Sequence, residues 1–404
     1  MYKRQFIGLS ILPNAKIEID SLEVSFEKED VSINEYFSGN ILLICPGYPM
    51  VKNKYLFSFI HSRVQAYKEN KLNVDVAVVH SEYIEKTEFA TFENVDYIRT
   101  GYNQIRNLLQ VRKYDKILIH FFDPAYFQLL EPQDLSNTQI ILYSHGTDAL
   151  YRAFDVIGRP YFVSDYVVPE SFTKTFALRD YYIKKYNNLP NVKFVFVSNW
   201  AKKMSEELLK IKYNNAEVIP CFIDEKQFPY TEKDPELRKR VFVLRKFDDL
   251  STYSIDIDVR VILELSHRKC FNDMEFSIYG DGGIHDKLVE PLRKFSNVHI
   301  YRKFLSHDEI KMMQKENGIG LFATRFDTQA VSSCEAAMAG CVVVSSKNVG
   351  TCEYIDPKIG TFCETENIIE YADLIEELYN DPKLFKTMSE KMHDSVMKLS
   401  LIHI

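Results

Sequence analysis

Apolar residues along this chain collect in short runs rich in Val, Ile, Leu and Phe, separated by longer segments in which apolar positions recur at helical spacing. In the first half the runs fall at 41–45, 74–79, 116–120, 139–143 and 193–197. In the second half they fall at 241–244, 275–279, 298–301, 318–322 and 341–345. Continuous apolar runs alternating with helices are the mark of a parallel sheet covered on both faces. The pattern therefore predicts an α/β chain made of two Rossmann-like, doubly wound domains facing one another across a cleft. The expected boundaries are 1–215 and 216–385, with a terminal helix over 386–404 and a crossover at 218–228. Residues 1–39 precede the first strong run and alternate weakly (Ile17, Ile19, Leu22, Val24, Phe26), so they are expected to add edge strands to the first sheet.

Length supports this division, since 404 residues at roughly 150 per domain give two or three units. With 46% hydrophobic and 26% charged residues, the composition is that of an ordinary globular protein. A net charge of −7 offers no general attraction to a polyanion, which argues against nucleic acid as a partner. The charge is uneven, however. Between Ser171 and Tyr213 nine cations (Lys174, Arg179, Lys184, Lys185, Lys193, Lys202, Lys203, Lys210, Lys212) face three acids (Asp180, Glu206, Glu207). The stretch 172–186 reads equally well as a face for an anionic membrane or as a solvated helix with its aromatics in the core. Seven cysteines without CxxC or metal-ligand spacing fit a reducing cytoplasm and no disulfide framework. The start of the chain has too short an apolar run for a signal peptide, and no run of about 18 apolar residues occurs.

Chemistry concentrates in Gly318 to Gly340, which reads as strand, loop and helix before the run at 341–345. Gly340 suits the position just past a helix end. Asp327 and Glu335 lie eight residues apart, about 80° out of phase on one continuous helix, so Asp327 is placed on the loop and Glu335 on the helix. Amides near Gln329, Ala330, Val331 and Ser332 at the helix start offer a site for a diphosphate, and Glu335 one for a ribose diol. Read without further context, an acid on a loop and another on a helix are also ordinary solvated groups. His145 ends the run 139–143 in Ser144-His-Gly-Thr147, His120 ends the run 116–120, and Arg245 ends the run 241–244.

The Asp327, seven residues, Glu335 pattern, followed by Ala336-Ala-Met-Ala-Gly340 and an apolar strand, resembles the signature of the family 4 retaining glycosyltransferases, whose two-domain fold is called GT-B. The likeness extends through Phe276-Ser-Ile-Tyr-Gly-Asp-Gly-Gly283, Asn297-Val-His-Ile-Tyr301, and Phe304-Leu-Ser-His-Asp-Glu-Ile310 with its Ser306/Glu309 capping box. It also takes in Ile219-Pro-Cys-Phe-Ile-Asp224, Phe196-Val-Ser-Asn-Trp200, and Ile41-Leu-Leu-Ile-Cys-Pro-Gly-Tyr-Pro49, and covers residues 40–390 in all. The resemblance implies a nucleoside-diphosphate sugar as co-substrate, with no further cofactor and no metal. It assigns catalysis to His145, Arg245 and Asp327, and donor binding to Gly47, Lys246, Gly280, Gln329, Ala330, Val331, Ser332 and Glu335. It further implies transfer of a hexose-type sugar, with retention, to a glycan, lipid-linked or protein acceptor.

The sequence departs from the family at several points. Asp327 stands for the usual Glu, and Thr328, Gln329 and Ala330 stand where Gly-x-Gly is usual. The expected Lys has no clear counterpart, Lys246 being the nearest, and the Gly-Gly of the first domain is absent. The chain stops at Leu401-Ile-His-Ile404, short of the expected crossing helix. A dinucleotide oxidoreductase, a P-loop kinase and an acyl hydrolase are disfavoured, since no GxGxxG, Walker or GxSxG motif occurs. Two alternatives stay open: a nucleotide-sugar epimerase or hydrolase on the same fold, and a non-catalytic GT-B partner.

Overall fold

A computed structural model describes residues 33–51, 53, 56–80, 87–150, 170–248, 250, 253–347 and 350–399. The first unit carries strands β1 (Ile41–Cys45), β2 (Val74–Val79), β3 (Glu88–Phe92), β4 (Val95–Thr100), β5 (Lys116–His120), β6 (Gln139–Ser144), β7 (Val192–Phe196) and β8 (Ala216–Val218). Its helices are α1 (Ile33–Tyr36), α2 (Ser58–Glu69), α3 (Tyr102–Val111), α4 (Pro124–Leu130), α5 (Thr147–Leu150), α6 (Glu170–Asn187) and α7 (Asn199–Leu209). The second unit carries β9 (Arg240–Leu244), β10 (Glu275–Gly280), β11 (Val298–Arg302), β12 (Ile319–Phe322), β13 (Val342–Ser346) and β14 (Phe362–Cys363). Its helices are α8 (Ile255–Leu265), α9 (His285–Val289), α10 (His307–Glu316), α11 (Val331–Met338), α12 (Ile368–Asn380) and α13 (Pro382–Val396).

All ten expected runs are strands. The first sheet has the order β3-β4-β2-β1-β5-β6-β7-β8 and the second β11-β10-β9-β12-β13-β14. Every pairing is parallel except β3 with β4. Both sheets reverse direction beside their first strand, between β1 and β5 and between β9 and β12. Ligands of doubly wound sheets sit at such points, outside the carboxyl ends of the strands. The two faces of the first sheet form separate apolar clusters, one built with α2 and the other with α3, α4, α6 and α7. The second sheet lies within one cluster that runs from Ile223 to Leu399.

Two boundaries differ from expectation. Strand β8 pairs with β7 in register Phe194↔Ala216, so the first unit extends to 218 instead of 215. The terminal helix begins at Pro382 and buries Phe385, Met392 and Val396 in the second core, which makes it part of that unit and not an appendage from 386. Of the expected N-terminal edge strands, residues 1–32 lie outside the described residues, and 33–36 form a helical turn. Residues 400–404 also lie outside them.

Candidate functional site

Where the two sheets face each other, a cleft cavity of about 460 Å³ is lined from both units and from Cys221 of the crossover, a volume suited to a small-molecule ligand. Its wall brings together His145, Arg245, Lys246, Asp327, Gln329, Val331, Ser332 and Glu335. Gly47, Gly280 and Ala330 do not line it.

Arg245 follows β9 at the switch point and is 4% exposed. Its guanidinium lies 4.8 Å from the Phe322 ring centre and 5.3 Å from that of Tyr253. Nη1 reaches Ser332 Oγ at a long 3.4 Å, while Nε and Nη2 have no hydrogen-bond partner among the described residues. Burial pushes the carboxyl of the nearby Asp258 up to about 8 against the pull of Arg245, and its Oδ2 has no hydrogen-bond partner among the described residues. Open donors on a buried arginine at the cleft wall suit an anion, which makes this point a candidate for a phosphate-like group.

Helix α11 begins beside Arg245. Its N-cap is Ala330, in the left-handed region at φ 55, with no side-chain cap, whereas Ser, Thr, Asp or Asn would ordinarily cover the first amides. Asp327 Oδ1 accepts from the amides of Gln329 (3.2 Å) and Ala330 (3.0 Å). The expected diphosphate cradle thereby narrows to the Val331 and Ser332 amides. One turn on, the Glu335 carboxyl lines the cleft, and burial pushes it up to about 8.

Several expected donor residues do other work. Gln329 turns away from the helix start: its Oε1 accepts from Cys221 N at 2.6 Å and its Nε2 donates to Cys221 O at 2.9 Å, which ties the loop to the crossover. Ala330 is buried and supplies the sharp turn into α11. Gly47 packs against Phe57, whose ring a Cβ would meet at 2.6 Å. Gly280, at φ +151, lets Arg245 pass: a Cβ would stand 1.8 Å from the Arg245 carbonyl oxygen. Lys246 sits at the cleft rim with Nζ held by Asp248 at 2.8 Å.

In the first unit, the His145 ring stacks on His120 and meets Phe59 and Phe121 at a tilt, and its Nε2 lies 2.8 Å from His120 Nδ1. Burial, assisted by the Arg63 charge, holds the His145 imidazole well below its usual pKa, so it is neutral. Asp148, which the sequence reading passed over, shapes this loop. Its Oδ1 accepts from the amides of His145 (3.0 Å) and Gly146 (2.8 Å), and its Oδ2 from that of Phe122 (3.1 Å).

The two units are tied across the cleft. Thr328 Oγ1 donates to the His145 carbonyl at 3.0 Å, Phe326 enters the first core against Trp200, and Glu353 accepts from the amides at the start of α7. Behind Asp327, Arg325 anchors the loop through paired bonds to Asp256 (2.8 Å each) and to Glu366. None of these roles has a local sequence signal. Among the described residues no cluster of three or more His, Cys, Asp or Glu is placed to hold a metal ion.

Two Rossmann-like units facing each other across a cleft are the arrangement of the GT-B fold, shared by glycosyltransferases. Residues 259–394, the greater part of the second unit, match the family model described as glycosyl transferases group 1. The structure is similar to S. aureus TarM in complex with fondaparinux, alpha-GlcNAc-glycerol and UDP (18% identity, TM-score 0.55, 77% of this chain and 58% of that one). It is also similar to sucrose-phosphate synthase from Thermosynechococcus elongatus (13%, 0.64, 89% and 94%) and to the E. coli trehalose-6-phosphate structure bound with UDP-2-fluoro glucose (11%, 0.62, 90% and 96%). The chain thus spans 58% of the TarM chain and nearly all of the other two. At these identities the likeness establishes the fold. A comparison with curated proteins finds no match.

Proposed function

We propose that this chain is a retaining glycosyltransferase that moves a hexose-type sugar from a nucleoside-diphosphate donor to a saccharide, lipid-linked or protein acceptor without a metal ion. The observation that carries the reading is the buried Arg245, two of whose nitrogens have no partner among the described residues, set beside the uncapped amides of α11, with Glu335 one turn further on. Arg245 and the Val331 and Ser332 amides hold the diphosphate and stabilise its charge as it departs. Glu335 takes the ribose hydroxyls. Neutral His145 and the free oxygen of Asp327 hydrogen-bond to the sugar. The acceptor hydroxyl attacks the anomeric carbon from the face the diphosphate leaves, and its proton passes to the departing phosphate oxygen.

UDP in the TarM structure and UDP-2-fluoro glucose in the trehalose-6-phosphate structure make UDP-sugars the first donors to try. Calorimetry with UDP-, GDP- and ADP-sugars, followed by product analysis with and without acceptor, separates transfer from epimerisation, hydrolysis and binding alone. Arg245→Ala is expected to slow transfer about 100- to 1,000-fold, the cost of removing one donor that stabilises a developing anion. Activity is expected to persist in EDTA. Wild-type turnover in Arg245→Ala, or strict dependence on added metal, contradicts the reading.

A cytoplasmic location at an anionic membrane surface belongs to the same proposal. All seven cysteines are free, and no described helix is long and apolar enough to cross a membrane. On α6, Tyr182, Ile183 and Tyr186 are core residues, while Lys174, Leu178, Tyr181 and Lys184 are exposed; the side chains of 172 and 173 lie outside the described residues. Absence of sedimentation with anionic liposomes removes the membrane part.

A further inference from the structure

Next to the donor cleft lies a second cavity, of about 250 Å³, that the proposed reaction leaves unused. It lies on the α2 face of the first sheet, between that helix and the crossover at Ile219 and Pro220. Leu118, Ile141 and Tyr143 of β5 and β6 line it, and Leu72 and Phe222, 40% and 36% exposed, form its rim. Doubly wound sheets ordinarily carry several helices on each face. Among the described residues, α2 is the one helix that contributes to the buried cluster here.

Two features join this cavity to the cleft. Phe59 lines both. One turn along α2, Arg63 lies with its guanidinium carbon 4.9 Å from the Tyr143 ring centre, near the Tyr67 hydroxyl and the cleft-lining Cys221. It forms no ion pair among the described residues. An apolar groove thus runs, at the edge of the cleft, into a cation that forms no ion pair with any described residue, and the Tyr67 and Tyr143 hydroxyls, 3.2 Å apart, lie beside it.

We propose that this cavity is the acceptor subsite for an amphiphile, with an apolar tail along Leu118, Ile141 and Phe222 and a phosphate-bearing head at Arg63. Guanidinium and hydroxyl donors suit a phosphate. The head group also carries the hydroxyl that receives the sugar beside His145. A cavity of 150 Å³ holds the six carbons of benzene, so about 250 Å³ takes about ten. The acceptor role rests on the glycosyltransferase reading; amphiphile binding itself does not.

Calorimetry on the full chain with monomeric decyl phosphate tests it, with hexyl phosphate, inorganic phosphate and decanol as the other arms. At about fourfold per buried methylene, decyl phosphate is expected to bind one to one and at least tenfold more tightly than each of the others. Ala66→Trp fills the groove from α2, and Leu72→Glu puts a charge on its exposed rim. Both are expected to weaken decyl phosphate at least tenfold while leaving nucleotide-sugar affinity unchanged, and Arg63→Gln is expected to erase the advantage of decyl phosphate over decanol. No saturable binding, binding that neither groove variant weakens, or decanol binding as tightly as decyl phosphate overturns the proposal. Decyl phosphate binding as described, with no nucleotide sugar bound, sinks the glycosyltransferase reading and leaves the groove standing.

Discussion

Replacing Gln329 with Ala removes the side chain that joins the donor loop to the crossover. Both of its polar atoms bond the backbone of Cys221, a residue only 6% exposed. The substitution strands one buried N–H and one buried C=O, each costing about 1–3 kcal/mol when left unsatisfied. Because the cleft lies alongside and water can enter from it, the lower part of the summed range applies, about 2–4 kcal/mol. At roughly 1.2 °C per kcal/mol for a chain of this size, the thermal midpoint is expected to fall about 2–5 °C, and donor affinity to fall with it as the start of α11 loosens. Gln329→Glu gives a signed companion. The ionised carboxylate keeps an acceptor for the Cys221 amide but sets negative charge against the Cys221 carbonyl, so this variant recovers stability as the pH falls and the new carboxyl gains the proton it needs to donate. Differential scanning fluorimetry with and without donor, across pH, reads both effects. A midpoint within 1 °C of wild type for Gln329→Ala, with unchanged donor affinity, refutes the reasoning.

Glu335 links binding to stability. Its carboxyl is held up at about 8 against an ordinary 4.5, so between these values the folded chain keeps a proton that the unfolded chain releases, and stability falls as the pH rises through that window. Above pH 8, Glu335→Gln is expected to be more stable than wild type by about 1–3 kcal/mol, after allowance for solvent relaxation around a partly exposed group, while binding nucleotide about tenfold more weakly through loss of a charged acceptor. A lower melting point than wild type at pH 8.5 contradicts this. Gly280→Ala forces a Cβ onto the Arg245 carbonyl at a backbone angle that disfavours side chains. It is expected to cost about 3 kcal/mol or more and to abolish donor binding; a stable variant that binds normally shows that Gly280 does not position Arg245.

Much of the fold was legible because buried parallel strands are written as unbroken apolar runs. What escaped has local physical causes. The β3–β4 hairpin turns on Glu93 and Asn94, both at positive φ (42° and 64°), where Asn-Gly or Asp-Gly is the recognisable signal. Strands β8 and β14 hold three and two residues, too few for a period to appear. In the site, Arg245, Asp327 and Glu335 could be placed because each sits at a strand end or helix start. The work of Asp148, Thr328 and Arg325 is done on residues far along the chain, which no spacing reveals.

The same distinction explains how the loop accommodates Thr328, Gln329 and Ala330 where Gly-x-Gly is expected. Glycines at such positions let a backbone turn sharply and come close to a phosphate. In this chain Ala330 takes the left-handed turn, at φ 55, a strained choice that persists only where surrounding contacts fix it. Those contacts are on hand: Asp327 holds the amides of Gln329 and Ala330, Thr328 bonds the His145 carbonyl, and Gln329 grips Cys221. Thr328 lines the cleft but spends its hydroxyl on the His145 carbonyl, and Ala330 does not line it, so neither side chain that replaces a glycine bonds the Val331 or Ser332 amide. The loop has exchanged freedom of backbone for ties to the opposite unit and to the crossover. Its geometry therefore depends on how the two units are set against each other, and a substitution on the far side of the cleft that breaks the Thr328–His145 bond acts on the donor loop without touching it.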